Sequence, residues 1–338
     1  MPSDDPISQA EIDGLAAAFD TLTADLDPHA VEANRLLRAR RNVVLYGPPG
    51  TGKTRAALQV AELWRAENGN DSVVLTTFHP SYNYEDFVEG WRPEPGAEGG
   101  FDLKPGVFLD AIKSAVDNDP RPVLLLIDEI NRGDVARIFG ELITYIEHDK
   151  RGIEFTSAQD RRVKKSVPSN LYLLGTMNTA DKSISLLDVA LRRRFAFIPC
   201  PPEPAILATT PDWLPVVDGI ELDKLLVELN SRLARHDIEV DRQIGHALLG
   251  IPASTDDPIR DLLDRLYYDV LPLVEEYLYA DREAIREVLP GFLNEGGSPV
   301  RPDSLTTVKA LFETAVSAAL APTGNSGNAD TPVDEVGE

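Results

Sequence analysis

Three things are scarce in this chain. There is a single cysteine in 338 residues. That excludes an internal disulfide and any cysteine-based zinc site, and Cys200 reads as a small buried or interface hydrophobe. Long apolar runs are also missing. Val123 to Ile127 is among the longest, far below the ~20 residues that cross a bilayer, and the opening MPSDDPISQA has neither a basic nor an apolar segment. A cytoplasmic protein without a membrane anchor is expected. Positive charge is the third deficit: 33 Lys and Arg stand against 56 Asp and Glu, a formal net charge of -23. Because nonspecific DNA affinity comes mainly from counterion release by basic residues, the chain alone makes a poor duplex-binding surface. The excess of acid suits a solvated coat in a high-salt cytoplasm, a halophilic reading.

What is present is enough to bury a sizeable core, at 43% hydrophobic residues. Five apolar runs, NVVLY, SVVLTT, PVLLLID, NLYLLGT and FAFIP, alternate with helical patterns between Asn42 and Pro199. Nearly continuous apolar strands of this kind indicate a parallel sheet covered by helices on both faces, an α/β domain over 41–201. Residues 1–40 read as a helical extension. The proline-rich PCPPEP, Pro199 to Pro204, ends the strand pattern. Beyond it, 202–321 has helical periodicity and reads as a smaller α-helical domain. The acidic, glycine-containing 322–338 is expected to be disordered.

Within the first domain, Gly47-Pro48-Pro49-Gly50-Thr51-Gly52-Lys53-Thr54 follows an apolar strand and precedes a helical run. In such a loop the backbone N–H groups curl around a phosphate and the helix N-terminus adds partial positive charge. Lys53 reaches the terminal phosphates and the Thr54 hydroxyl serves Mg²⁺. The loop meets anionic charge locally in an otherwise acidic chain. PVLLLIDEINRGD ends a buried strand on Asp128 and Glu129, at the edge where ligands bind in open α/β sheets. Asp128 is placed to hold Mg²⁺ through its water shell and Glu129 to polarise an attacking water. NLYLLGTMNTADKS ends another strand on Asn178, a candidate for orienting that water or contacting the γ-phosphate. Arg192, Arg193 and Arg194 are expected to follow a short helix; three consecutive arginines cannot all face one nucleotide.

Taken in order, these motifs resemble those of AAA+ NTPases, and more closely the McrB-type motor subunits of modification-dependent (5-methylcytosine) restriction systems. FHPSYNYEDFVEG, IDEINRGDVARIFGELITYIE, MNTADKSISLLDVALRRRF, QIGHALLG and VLPLVEEYLY carry the closer match. The resemblance implies a five-stranded αβα core, a helical lid and a homo-oligomeric, hexameric ring. It also implies ATP or GTP as substrate with Mg²⁺, and a McrC-like nuclease or adaptor as partner. By the same resemblance Asp128 and Glu129 are the Walker B pair, Asn178 the sensor-1 residue, Arg194 the trans-acting finger with Arg193 second, and Asn131 the residue through which the partner stimulates hydrolysis. Only 46 residues precede the phosphate loop, so target recognition is expected on other chains. No signature decides between ATP and GTP. The rival readings are a MoxR-like chaperone acting on protein complexes or metal insertion, and a scaffold that binds nucleotide with little turnover.

Several features stay open between two readings. The aromatics of FHPSYNYEDFVEGW suit core packing, or a subunit interface or pore. The basic run Lys150 to Val167 suits a hairpin facing DNA or an acidic partner, or a solvated face. From the lid, Arg242 or His246 is a candidate to approach the nucleotide. His79 alone makes no metal site.

The acidic coat has a direct test. Screening relieves self-repulsion, so the melting temperature is expected to rise from low to molar KCl. A flat or falling value would remove the halophilic reading.

Overall fold

The computed structural model describes residues 26–93, 100–180 and 189–309. The expected helical stretch at 7–22, the acidic tail 322–338, residues 181–188 and most of the periodic run 304–320 lie outside the described residues.

All five apolar runs form strands of one parallel sheet: β1 (Asn42–Gly47), β2 (Val73–Thr77), β3 (Val123–Asp128), β4 (Leu171–Asn178) and β5 (Ala196–Pro199). Their order across the sheet is β2-β3-β4-β1-β5. Alternation along each strand divides the core in two. Val43, Leu45, Leu124, Leu126, Leu174 and Ile198 face α1 (Pro28–Arg40) and α2 (Lys53–Asn68). Val44, Leu125, Ile127, Leu173 and Met177 pack on the other side with α3 (Val107–Asn118), which contributes Phe108, Ala111 and Ala115. Burial on both faces is why these strands read as unbroken apolar runs. Each fully buried aliphatic side chain contributes roughly 1.5–3 kcal/mol. Cys200 is buried at the end of β5, and burial pushes its thiol up to about 12, so it behaves as a hydrophobe.

Helix starts follow local chemistry. Asp27 caps α1 by accepting from the His29 amide, with Pro28 in the first turn. Gly52, at φ 80°, begins α2 without a side-chain cap, which leaves the first amides of the helix open to an anion. The aromatic stretch is mostly core: Phe78 and Phe87 are buried, and Phe87 packs on Phe108 and Phe139. Trp91 is about half exposed, on a hairpin formed by Glu89–Pro93 and Phe101–Pro105.

The basic run forms a second hairpin, Glu154–Thr156 against Lys164–Ser166. Two of its cations turn inward. Arg151 donates to the carbonyls of Ile146, Pro168 and Leu171 and to Asn42 Oδ1, and burial pulls its pKa down to about 9. Lys165 pairs with the buried Glu89 at 2.9 Å. These two groups hold the hairpin to the sheet domain.

After the prolines the chain builds a second core, running from Leu207 to Val308. In α5 (Leu222–Arg235), Leu222, Leu225, Leu226, Leu229 and Leu233 form one buried stripe. The run 258–277 divides into α6 (Pro258–Asp264), a π turn (Arg265–Val270) and α7 (Leu271–Tyr277). Pro272, at the start of α7, lacks the N–H that an unbroken α-helix would use, and the π turn just before it takes up the irregularity. Among the described residues the strands of this part are a two-residue ribbon, Val216–Val217 with Ile220–Glu221.

A histidine ties the start of α1 to the end of the sheet domain. His29 Nδ1 lies 3.0 Å from Asp27 Oδ1 and Nε2 lies 3.4 Å from Glu203 Oε1. The bond to Asp27 is the main reason its pKa is raised, with the charges of Asp27 and Glu203 adding to it against the cost of burial. A raised folded pKa stabilises fully below the ordinary value near 6.5, and the contribution is lost as pH rises through the raised value. The melting-temperature difference between the wild type and His29→Gln is therefore expected to be largest near pH 6 and to shrink towards pH 8.5. A difference independent of pH would show that the ring acts by packing alone.

Candidate active site

The phosphate loop hangs from the carboxyl end of β1, and its neighbours bring the rest. In the β1/β4 register Gly47 stands opposite Asn178, and in the β3/β4 register Ile127 stands opposite Gly175. The carboxyl ends of three strands thus deliver Lys53, Asp128, Glu129 and Asn178 to one side of the sheet. A cleft of about 250 Å³ is lined by Pro49, Gly50, Gly52, Lys53, Thr54, Arg55, Glu129, Thr176 and Asn178.

Inside the loop, Gly50 and Gly52 have φ values of 76° and 80°, a region open to glycine without strain. Lys53 is buried, and its ammonium donates to the Pro48 carbonyl at 2.7 Å. Thr51 Oγ1 also donates to that carbonyl, at 3.0 Å. The curl of the loop is therefore held by its own side chains. Thr54 Oγ1 donates to Asp128 Oδ1 at 3.0 Å. A hydroxyl and a carboxylate so close are hard oxygen donors of the kind Mg²⁺ takes alongside phosphate oxygens and waters, so the residues fit that ion. Among the described residues no cluster of three or more His, Cys, Asp or Glu competes for a metal.

Glu129 turns the chain at the end of β3. Its φ of 55° and ψ of 46° are left-handed values that a residue other than glycine seldom adopts. In a continuing strand Asp128 and Glu129 would face opposite ways; the left-handed turn lets both address the cleft. Thr176 steadies the turn, since its hydroxyl accepts from the Glu129 amide at 3.0 Å and donates to Asp128 Oδ1. Asn178 Nδ2 donates to Glu129 Oε1 at 2.7 Å, so the amide aims the carboxylate. Behind it, the side chain of the buried Asn131 donates to the Asn178 carbonyl at 3.0 Å. Thr176 is the residue that the motifs did not single out; its signal is a lone threonine near the end of the apolar run LYLLGTMN.

The lid rests directly on the loop. The Ala247 amide donates to the Gly50 carbonyl at 2.8 Å. A Cβ on Gly245 would lie 2.2 Å from the Gly50 carbonyl carbon, so only glycine allows this approach. Asn230 on α5 holds the segment by accepting from the Ile244 amide at 2.8 Å and donating to its carbonyl at 3.0 Å. Of the two lid candidates, His246 comes to the loop, whereas the Arg242 guanidinium lies over the Tyr277 ring, 5.3 Å from its centre.

The arginines stand elsewhere. They form the last turn of α4 (Val189–Arg194), not a segment beyond it, and line a cleft of about 810 Å³ with Arg40, Asn42, Glu147 and Asp149. Arg192 and Arg193 are exposed, while Arg194 pairs with Glu147 at 2.5 Å. Asn42 Nδ2 donates to the Arg194 carbonyl at 3.0 Å, which fixes Arg194 beside the first residue of β1. The phosphate loop leaves the last residue of that strand. Five residue steps, about 16 Å, separate the two ends.

The site is that of a P-loop NTPase. Residues 42–195 match the AAA domain (dynein-related subfamily), and residues 221–286 match the alpha-helical lid domain of McrB. The chain thus carries an AAA domain followed by an McrB-type lid. It is 34% identical over 261 residues to the Type IV methyl-directed restriction enzyme EcoKMcrB subunit of Escherichia coli (strain K12), covering 72% of this chain and 55% of that protein. It is also 29% identical over 198 residues to the Type II restriction enzyme BsuMI component YdiS of Bacillus subtilis (strain 168), covering 46% of this chain and 56% of the relative. The chain therefore spans about half the length of these curated relatives. No helix among the described residues is long and apolar enough to cross a membrane.

Two substitutions separate binding from turnover. Lys53→Ala removes the cation expected to meet the terminal phosphates, and nucleotide affinity measured by calorimetry is expected to fall by at least about tenfold. Unchanged affinity would overturn the loop assignment. Glu129→Gln keeps shape and loses the proton acceptor, so binding is retained and phosphate release is expected to slow by on the order of 10²–10⁴-fold. Turnover near that of the wild type would take Glu129 out of the role.

Proposed function

We propose that this chain is the ring-forming motor of a McrBC-like restriction or defence complex. It hydrolyses ATP or GTP while other chains carry the DNA reader and the nuclease. In each site Glu129, aimed by Asn178, takes a proton from the water that attacks the γ-phosphorus, and the β–γ bridging oxygen leaves with the diphosphate. Lys53 holds the terminal phosphates. Thr54 and Asp128 would hold Mg²⁺, which would supply neutralisation of their charge. The restriction role is supported by the names of both relatives, which favour it over a MoxR-like chaperone.

The observation that carries the reading is the distance between Arg194 and the loop. Side chains at opposite ends of β1 cannot meet one nucleotide, so the finger serves the site of a neighbouring copy. Such a contact is heterologous, and a head-to-tail contact that closes makes a ring, here a hexamer by resemblance to the McrB type. Arg193, exposed beside it, is the second choice. A McrC-like partner acts through Asn131, whose bond to the Asn178 carbonyl leads to the carboxylate. DNA is met mainly through partners, in keeping with the net charge of -23 and a basic hairpin that spends Arg151 and Lys165 on its own structure. The assembly works in the cytoplasm.

The shared site has its own test. Homogeneous Glu129→Gln and Arg194→Ala preparations are each expected to be nearly inactive. After mixing and subunit exchange, roughly a quarter of the sites pair an intact Glu129 with an intact Arg194, and phosphate release should recover accordingly. No recovery despite demonstrated exchange would overturn trans action by Arg194. The same mixture with Arg193→Ala reports on the second choice.

A further inference from the structure

We propose that Asp27 and His246 read the edge of the nucleotide base, Asp27 as hydrogen-bond acceptor and His246 as donor, and so determine which nucleoside triphosphate the chain takes. The proposal rests on the P-loop NTPase reading of the same cleft and names the part of the site that reading leaves unassigned.

The cleft has a direction. Glu129, Thr176 and Asn178 line the part where water attacks, so the γ-phosphate belongs there. The nucleoside extends from the remaining lining, Pro49, Gly50, Gly52 and Arg55. Two separate parts of the chain, the cap of α1 and the lid strip 246–248, converge on that lining. A Cβ placed on Gly52 would lie 3.7 Å from Asp27 Oδ2 and 3.9 Å from His246 Nε2. One placed on Gly50 would meet Leu248 Cγ at 2.7 Å. An acceptor, a donor and an apolar side chain therefore stand around two glycines. Hydrogen-bonding groups for an edge and an apolar surface for a face are what a planar base requires.

The hydrogen-bonding roles are assigned by the surroundings. His246 is 3% exposed, and its Nδ1 accepts from the Glu203 amide at 3.2 Å, so the proton sits on Nε2. Burial lowers its pKa to about 4, and the ring stays neutral in this tautomer near pH 7. Asp27 Oδ1 is occupied by the His29 amide at 2.8 Å and the His29 ring at 3.0 Å. Burial alone would raise the pKa of Asp27, but these bonds and the charges of His29 and Arg55 outweigh it and hold the carboxyl below its usual value. Oδ2 is thus an ionised acceptor beside Gly52. Neither Oδ2 nor His246 Nε2 has a hydrogen-bond partner among the described residues. Capping α1 uses only Oδ1. The bond from Glu203 uses only Nδ1. One atom of each side chain is left for a ligand.

Adenine and guanine each present a donor next to an acceptor, and Asp27→Asn distinguishes them. His29 donates twice to Oδ1, so the amide oxygen must take that place and the NH₂ group must replace Oδ2. The variant still caps α1, since asparagine caps as well as aspartate, and at pH 8.5, where the charge on His29 no longer contributes, its melting temperature is expected to match the wild type. Affinities for ATP, GTP, CTP, UTP and inorganic tripolyphosphate, each with Mg²⁺, are measured by calorimetry. The wild type is expected to prefer one purine nucleotide. In Asp27→Asn that preference should fall by at least about tenfold, while tripolyphosphate affinity is unchanged. If the preferred base is guanine, xanthosine triphosphate, with a carbonyl in place of the 2-amino group, should gain affinity for the variant. If it is adenine, inosine triphosphate, with a carbonyl in place of the 6-amino group, should gain. His246→Phe, which keeps a ring and removes the donor, should also lower the preference, and it decides the matter should Asp27→Asn fail to fold. A wild type that binds all four nucleotides alike, or a preference unchanged in both variants, overturns the proposal. Failure of the P-loop reading looks different: the wild type would then bind neither nucleotide nor tripolyphosphate.

Discussion

The parallel pairing of β1 with β4 is the contact on which the site depends. With Gly47 opposite Asn178, the strand that starts the phosphate loop and the strand that aims the Glu129 carboxylate end at the same level. Because side chains alternate with a period of two, a slip of one residue would turn Thr176 away from Asp128 and Asn178 away from Glu129. The buried strands exclude such a slip. Shifting β4 would put Leu174 or Thr176 where Gly175 stands, and even a Cβ there would lie 3.2 Å from Val44 Cγ2 and 3.4 Å from Ile130 Cδ1. Hydrophobic packing of the sheet thus sets the polar geometry at its edge, although none of the apolar residues touches a phosphate.

The same sheet organises its opposite edge. Asn42, the first residue of β1, is buried and bonds the carbonyls of Ile146 and Arg194, while Arg151 donates to its side-chain oxygen. This polar knot joins the basic hairpin, α4 and β1. It presents Arg194 against Glu147 at the surface. One strand therefore fixes the phosphate loop at one end and the arginine turn at the other. In the proposed function, that separation is what makes assembly a condition of chemistry.

The elements most legible in the sequence are those where one physical cause dominates. Five apolar runs gave five strands because burial on both faces permits little else. The glycines of the phosphate loop and the acidic pair after LLLI were legible because few backbones tolerate them in any other role. What could not be read depends on contacts remote in sequence. Nothing in IDEIN signals that Glu129 adopts a left-handed backbone; Thr176, 47 residues away in sequence, supports it. The cations of 150–167 look alike on paper, yet Arg151 and Lys165 are internal because Asn42 and Glu89 happen to face them. The order of the strands, and the arrival of Gly245 on the backbone of Gly50, follow from how the helices pack and have no local signature. Asp27 is a plain helix cap until the loop is folded beside it.

Asn230 has a consequence beyond its two hydrogen bonds. It grips Ile244 from the interior of the lid, so the strip that touches Gly50 is keyed to the leucine stripe of α5 and not to a loose surface turn. The strip cannot shift alone. A displacement of the phosphate loop would therefore have to carry the second core with it, as a tilt whose reach grows with distance from the loop, as the tip of a pointer sweeps farther than its axle.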